Sequence, residues 1–323
     1  MLLDGKITNE PLKVFIKFFD EFVGIDIFRH MIPSKEQETE ICHQFSLSGK
    51  GAKVYGFFET KDGVKGRIDE FLDGRTLEPI DVENDEIRAD IAISFAHFHN
   101  IKLLSMTKTS IETYFDAVIT GLQSLHKLSK LKILGEEAGV CIDSLIDYDF
   151  AEKVKDVGNA MKSIKAKTGW CIHDVQYMNT MVKNHPKPKE SKISLIDFEN
   201  VMYNYRGFDI GGHYLHKMFK WFDEENKIVN CKKFSKEEKV HFCQTYAKEW
   251  NKLTGDTDTG EQIYLEAEYG YLLSITFELH NMLWFITKCN KADRLDLKAL
   301  LKLFEEFKEQ YTKLTQSDLA ANS

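Results

Sequence analysis

Long apolar runs, paired cysteines and an excess of positive charge are all missing from this 323-residue sequence, and each absence narrows what the chain can be. No stretch approaches the roughly 20 apolar residues of a membrane-spanning helix, and the opening MLLDGKITNEPLK lacks the apolar centre of a secretory signal. The expected setting is therefore cytoplasmic, with no integral membrane association. Six cysteines (Cys42, Cys141, Cys171, Cys231, Cys243 and Cys289) lie far apart, without a C-x-x-C pair and without histidines at metal-ligand spacing. They read as reduced thiols rather than a disulfide frame or a zinc site. A formal net charge of −8 argues against a nucleic-acid partner, because neutralising phosphates needs a concentrated basic surface. An acidic field suits a cationic ligand, although a modest negative charge also serves solubility alone. Internal repeats and low-complexity tracts are absent as well.

What is present is core-forming material: 43% of residues are hydrophobic and 12% aromatic, enough for one large domain or two lobes. The first 75 residues carry short β-branched and aromatic runs, predicting strands at 13–19, 53–58 and 66–72, with a helix at 36–47 closed by Gly49 and Gly51. After Pro79 the spacing changes. Ile87, Ile91, Phe95 and Phe98 fall at helical intervals and open a series of amphipathic segments, with helices predicted at 111–128, 142–165, 236–253, 261–288 and 293–314. Ser235 and Glu238 form a capping-box pattern. Two strands, 180–183 and 193–196, interrupt the helices and are joined by the polar loop NHPKPKES. The expected architecture is an α+β, protein-kinase-like two-lobe fold. Its small β-rich N-lobe is predicted over residues 1–75, and its large, mainly helical C-lobe over 76–323.

The chemistry concentrates around that hairpin. Phosphoryl transfer needs oxygen ligands for a metal on the phosphates, an acceptor for the nucleophile's proton and a cation near the leaving group. WCIHDVQYMNTMV supplies Asp174 and, five residues on, Asn179, just before the first strand; LIDFE places Asp197 just after the second. The spacing brings three oxygen-bearing side chains to one end of the hairpin, with Asp174 as base or orienter and Asn179 and Asp197 as metal ligands. Each alone could be a turn or cap residue; their order makes the pattern.

The run LIDFENVMYNYRGFDIGGHYLHKM resembles the signature of the choline/ethanolamine kinase family, in its IDFE (Ile196–Glu199), Tyr-Asn-Tyr (Tyr203–Tyr205) and Phe-Asp-Ile-Gly-x-His (Phe208–His213) segments. GAKVYGFF, RIDEFLDGRTL and the FAHFH of Phe95–His99 match the family's inter-lobe region in the same order, and DGKITN resembles its glycine-containing phosphate loop. The resemblance implies ATP and Mg2+ as cofactors and a small amino alcohol, choline or ethanolamine, as acceptor in the first step of phosphatidylcholine or phosphatidylethanolamine synthesis. It also allows a homodimer, for which the sequence shows no interface. Residue by residue, it implies Asp174 as the catalytic group, Asn179 and Asp197 on magnesium, and Glu70, Phe71 and Leu72 at the adenine. Thr8 and Asn9 fall in the phosphate loop, and Lys17 would meet the phosphates while pairing with Glu38. Lys17 could instead be an edge-strand charge facing solvent.

Three departures bear on activity. The family's His-Asn-Asp is Ile172-His173-Asp174 here, so the histidine that holds the catalytic loop is gone, and His173 reads as structural rather than as a base. Only three residues separate Asn9 from the strand holding Lys17, so a strand is expected to be missing. At the acceptor site the family's acidic residue falls on His216 and its tyrosine on Asn200. Glu199, Trp221 and Trp284 remain as candidates for holding a cation, the tryptophans through their ring faces. Two alternatives stay open: a catalytically impaired kinase-like binding or regulatory protein, and a kinase of another small hydroxyl compound.

Overall fold

The computed structural model describes residues 11–19, 26–125, 127–289 and 293–321. Strands β1 (Val14–Phe18), β2 (Val54–Glu59) and β3 (Lys65–Glu70) form an antiparallel sheet in the order β1-β3-β2. The register sets Lys17 of β1 opposite Arg67 of β3. Among the described residues β1 pairs with β3 alone, and Val14, Phe15, Ile16 and Phe18 are exposed along it. Thr8 and Asn9, with the rest of the DGKITN segment, lie outside the described residues. Helix α1 (Lys35–Ser46) is started by the reciprocal Ser34–Gln37 capping box, satisfying backbone donors at its first turn. It buries Ile41, Cys42 and Phe45, and with them Glu38, which is 1% exposed.

The short strand β4 (Gly74–Thr76) leaves this sheet and pairs with β6 (Thr180–Lys183), which in turn pairs with β7 (Ile193–Leu195). Between them come α2 (Asp85–His99), α3 (Ile111–Leu125), α4 (Ser129–Ala138), α5 (Asp143–Ile146), α6 (Phe150–Ser163) and β5 (Thr168–Cys171). The single helix predicted over 142–165 is two. Asp149 caps α6 by accepting from the amide of Glu152, and an aspartate that competes for backbone donors in this way starts a helix more readily than it continues one.

Beyond the β6–β7 hairpin run β8 (Met202–Tyr205), α7 (Gly207–His216), α8 (Lys236–Thr254), α9 (Gly260–Cys289) and α10 (Arg294–Ala321). The capping box predicted at Ser235 and Glu238 forms at the start of α8. Strand β8 pairs antiparallel with β5, Cys171 facing Met202, and so holds the segment after β5 against the start of α7.

The closest helix crossing, α7 on α9, sets the far side of the cleft. A Cβ on Gly270 would overlap the carbonyl of Gly207, and one on Gly211 would overlap the backbone at Tyr271. With Gly212 beside Ser274, the two helices advance together, a turn of one against a turn of the other. The next turn brings His216 to Glu278. The core beneath is aromatic, with Phe95, Phe98, Phe208 and Phe242 at or below 1% exposure. The five cysteines whose side chains are described are free thiols, as expected.

Candidate active site

The hairpin register accounts for the meeting of Asn179 and Asp197. Thr180 pairs with Leu195, and one step out the Ile196 amide donates to the Asn179 carbonyl at 3.0 Å. Asn179 therefore sits at the entrance to β6, and Asp197 just past the exit of β7. Asn179 Nδ2 donates to the Asp174 carbonyl (3.1 Å), and Gln176 Nε2 donates to Asp174 Oδ1 (2.7 Å). Asp197 takes a left-handed backbone, φ 63°, tolerable for aspartate and common where a structure aims a functional side chain.

Lys17 is not the solvent-facing edge charge that the strand alone allowed. Its Nζ lies 3.0 Å from Glu38 Oε1 and 2.8 Å from Asp197 Oδ1, with Glu199 at 3.9 Å. Burial works against its charge, but the two carboxylates outweigh burial and hold its pKa above the ordinary lysine value. Glu38 is correspondingly held below its usual range: burial opposes, while Lys17, Arg67 and Lys35 prevail. Arg67 Nε reaches both oxygens of Asp69 (2.9 and 2.8 Å), and its Nη1 reaches Glu38 (3.1 Å). Glu199 is raised, first by burial and then by Asp197.

A cavity of about 430 Å³ opens beside this network, with Leu72, Met181, Leu195 and Phe198 as apolar walls and Lys17 and Asp197 at one end. Glu70 and Phe71 line it too. Phe71 and Leu72 follow the end of β3 and belong to no strand, so their backbone polar groups are not consumed by a sheet ladder. The cavity has the size and mixed lining of a small-ligand site.

The segment carrying Asp174 is held in a way the sequence did not disclose. Asp209, fully buried on the first turn of α7, accepts from the amides of Ile172 (2.6 Å) and His173 (3.0 Å), and its Oδ2 lies 3.0 Å from His99 Nε2. Tyr246 lies 2.8 Å from the other ring nitrogen of His99. His173 is structural, as read from the sequence: buried at φ 63°, with Asn204 Nδ2 at 3.0 Å from Nε2 and the Phe208 ring 4.4 Å away. Burial lowers its pKa to about 4, leaving the imidazole neutral. With no side-chain donor at 172, the loop is still held through its backbone, by the clamp from two amides to one carboxylate. Both groups of the clamp lay in segments already singled out, FDIG and FAHFH, but an aspartate beside a helix start has an ordinary capping explanation.

On the acceptor side the candidates divide. His216 is 1% exposed, takes the indole N–H of Trp221 on Nδ1 (3.2 Å), and turns Nε2 to within 3.4 Å of Glu278. That approach is close but not aligned as a hydrogen bond. The Trp221 ring stacks on Phe219, centroids 4.5 Å apart, so one of its faces is not available to a cation. Glu199 belongs with Lys17 and Lys35 on the opposite side, half-buried Asn200 follows it, and half-buried Trp284 makes no recorded contact with His216 or Trp221. Glu278, which no motif marked, is 5% exposed. Asp174 is pushed up to about 6, first by burial and next by the negative charge of Glu278, with the hydrogen bond from Gln176 opposing. Asp174 stays partly open to solvent at its surface while closely surrounded.

The sequence matches the choline/ethanolamine kinase family profile over residues 4–312. The chain belongs to the choline/ethanolamine kinase family. Among curated family members it is 25% identical over 205 residues to mouse choline kinase alpha, covering 61% of this chain and 42% of that protein. To a probable ethanolamine kinase of Arabidopsis thaliana it is 26% identical over 250 residues, covering 76% and 61%. The matches therefore span less than two thirds of the length of these relatives. The crystal structure of choline kinase from Cryptosporidium parvum superposes with a TM-score of 0.64 at 15% identity, over 94% of this chain and 83% of that one. The family's protein-kinase-like fold, a small sheet region on a mostly helical remainder, is the fold seen here. Among the described residues no helix is long and apolar enough to cross a membrane.

Proposed function

We propose that this protein is a cytosolic kinase that transfers the γ-phosphoryl group of ATP to the hydroxyl of a small amino alcohol, choline or ethanolamine. The observation that carries the reading is the meeting of Asp174, Asn179 and Asp197 at one end of the β6–β7 hairpin, with Lys17 bonded to Asp197 at the end of the cavity.

Adenine would occupy the apolar cavity against the backbone of 70–72, and the phosphates would extend towards Lys17, which exchanges Asp197 for phosphate oxygen. The acceptor hydroxyl gives its proton to the Asp174 carboxylate as its oxygen bonds to the γ-phosphorus; the bond to the bridging oxygen breaks and ADP leaves. An aspartate poised at about 6 is a better proton acceptor than an ordinary one, yet remains mostly ionised at neutral pH. The donor set fits magnesium. Asn179 has its amide nitrogen engaged and its oxygen free of hydrogen bonds, and Asp197 has one oxygen without a hydrogen bond among the described residues. When bound there, magnesium would neutralise phosphate charge. The Asp209 clamp weighs against an impaired relative, since it keeps ordered the loop that carries Asp174.

Purified protein with magnesium, ATP and a panel of amino alcohols tests the reading. Asp174→Ala is expected to lower turnover by about 10²–10⁴-fold; full turnover in that variant would overturn the assignment.

A further inference from the structure

The α7–α9 crossing leaves a buried carboxylate without a counter-charge. Glu278 is 5% exposed and makes no hydrogen bond among the described residues; His216 Nε2 lies 3.4 Å from its Oε1. Because an indole N–H can only donate, His216 Nδ1 must be an acceptor towards Trp221, which places the ring proton on Nε2 and leaves the imidazole neutral. The neighbour of Glu278 is therefore a neutral donor, not a cation. A buried carboxylate is costly unless paired.

Further unpaired groups lie along the same stripe of α9. Ser274 Oγ, one turn before Glu278, and Asn281 Oδ1, one turn after, are both sealed and without a hydrogen-bond partner among the described residues, as is His216 Nε2. Residues three and four apart share a helix face. Buried polar atoms without partners call for an explanation, and a bound ligand is one. The groups that dominate here, a carboxylate and an amide oxygen, are acceptors, so the ligand they suit is a cation that donates hydrogen bonds.

We infer that Glu278 binds and orients the cationic head of the acceptor, and that it selects a primary ammonium, as in ethanolamine, over the quaternary ammonium of choline. This rests on the amino-alcohol reading above. A primary ammonium offers three N–H donors to the open acceptors of α9, whereas a trimethylated head offers none and depends on aromatic faces. The indole bonded to His216, that of Trp221, has one face already covered by Phe219. A Cβ on Gly212 would meet both Ser274 Oγ and Val175 Cγ2, so the stripe of α9 that carries Glu278 runs beside the residue next to Asp174.

Steady-state kinetics with ethanolamine, its mono- and dimethylated forms and choline, for the wild type and for Glu278→Gln, test the inference. In the wild type kcat/KM is expected to fall at least about tenfold from ethanolamine to choline, the loss of hydrogen bonds to a charged group. Glu278→Gln is expected to raise KM for ethanolamine about 10- to 100-fold and to flatten the series to within about threefold, while KM for ATP and the magnesium requirement stay put. An unchanged ethanolamine KM in the variant, a wild-type preference for choline, or an effect on magnesium in place of the acceptor would each overturn it. Should the variant fail to fold, as judged by thermal denaturation, the wild-type methylation series still decides. If the wild type phosphorylates no amino alcohol, the parent reading fails first, an outcome visible without any variant.

Discussion

The two walls of the cleft handle charge in opposite ways. On the sheet side the charged groups around Lys17 have counter-charges within the chain: Lys17 lies between Glu38 and Asp197, and Arg67 between Glu38 and Asp69. On the helical side Glu278 has the neutral His216 ring beside it, and Ser274 Oγ, Asn281 Oδ1 and His216 Nε2 have no hydrogen bond among the described residues. The difference teaches which side is finished without ligand. The sheet side is set before nucleotide arrives and must exchange one ion pair to receive it. The helical side leaves a charge for the acceptor to complete.

Asp209 holds the Asp174 loop and His99 of α2 to the start of α7, so its removal should have the largest effect. Asp209→Ala strips the acceptor from two buried amides and from His99 at once. Unsatisfied buried groups of this kind cost about 3–5 kcal/mol together. Thermal denaturation should show that loss, and turnover should fall with it because the Asp174 loop loses its clamp. A variant of undiminished stability would mean that the loop is held by packing.

A smaller and more one-sided effect is expected from Lys17→Met. Glu38 keeps Arg67 and Lys35, so little stability should be lost. A cation meeting phosphate contributes a charge-assisted hydrogen bond of about 1.5–3 kcal/mol, so KM for ATP should rise about 10- to 100-fold. KM for the acceptor should not move, and an acceptor KM that rose in step would break the division into two walls.

The same division governs what could be read from the sequence. Asp174, Asn179 and Asp197 were legible because a hairpin with polar residues at both ends brings those ends together. The Lys17–Glu38 pair was legible through the family resemblance, since the strand alone allowed a lysine facing solvent. Lys17 lies 3.0 Å from Glu38, as expected. The strands at 180–183 and 193–195 and most helices were legible from periodicity alone. Strands β5 and β8 and helix α7 were not. Their residues are buried on nearly all sides, so the alternation that marks a half-exposed strand or helix is absent. Glu278 was hidden for a related reason. Helix α9 is buried all round over much of its length, and only the register with α7, set by Gly207, Gly211 and Gly270, singles out one of its acidic residues. Asp209 stood inside a recognised motif, but its partners are 36 and 110 residues away in sequence, and no local pattern announces a clamp over such distances.

The gentlest test is a pH profile. An ordinary aspartate, near 3.8, would leave kcat/KM for the acceptor flat to about pH 5. Asp174, pushed up to about 6 by burial and by Glu278, must lose its proton to act as base. The rate should therefore be halved at about pH 6 and fall about tenfold per unit below it, with a plateau near neutrality where about nine tenths of the groups are ionised. The sign follows from the charge: a raised carboxyl pKa extends the protonated, inactive form upward in pH. Binding the acceptor places a cation beside the two carboxylates, which favours the ionised form, so the acid limb of kcat should lie below that of kcat/KM. Glu278→Gln should move the kcat/KM limb downward only in part, because burial, the larger cause, remains. A limb unmoved by that substitution would place Glu278 out of electrostatic reach of Asp174 and make the helical wall as self-contained as the sheet wall.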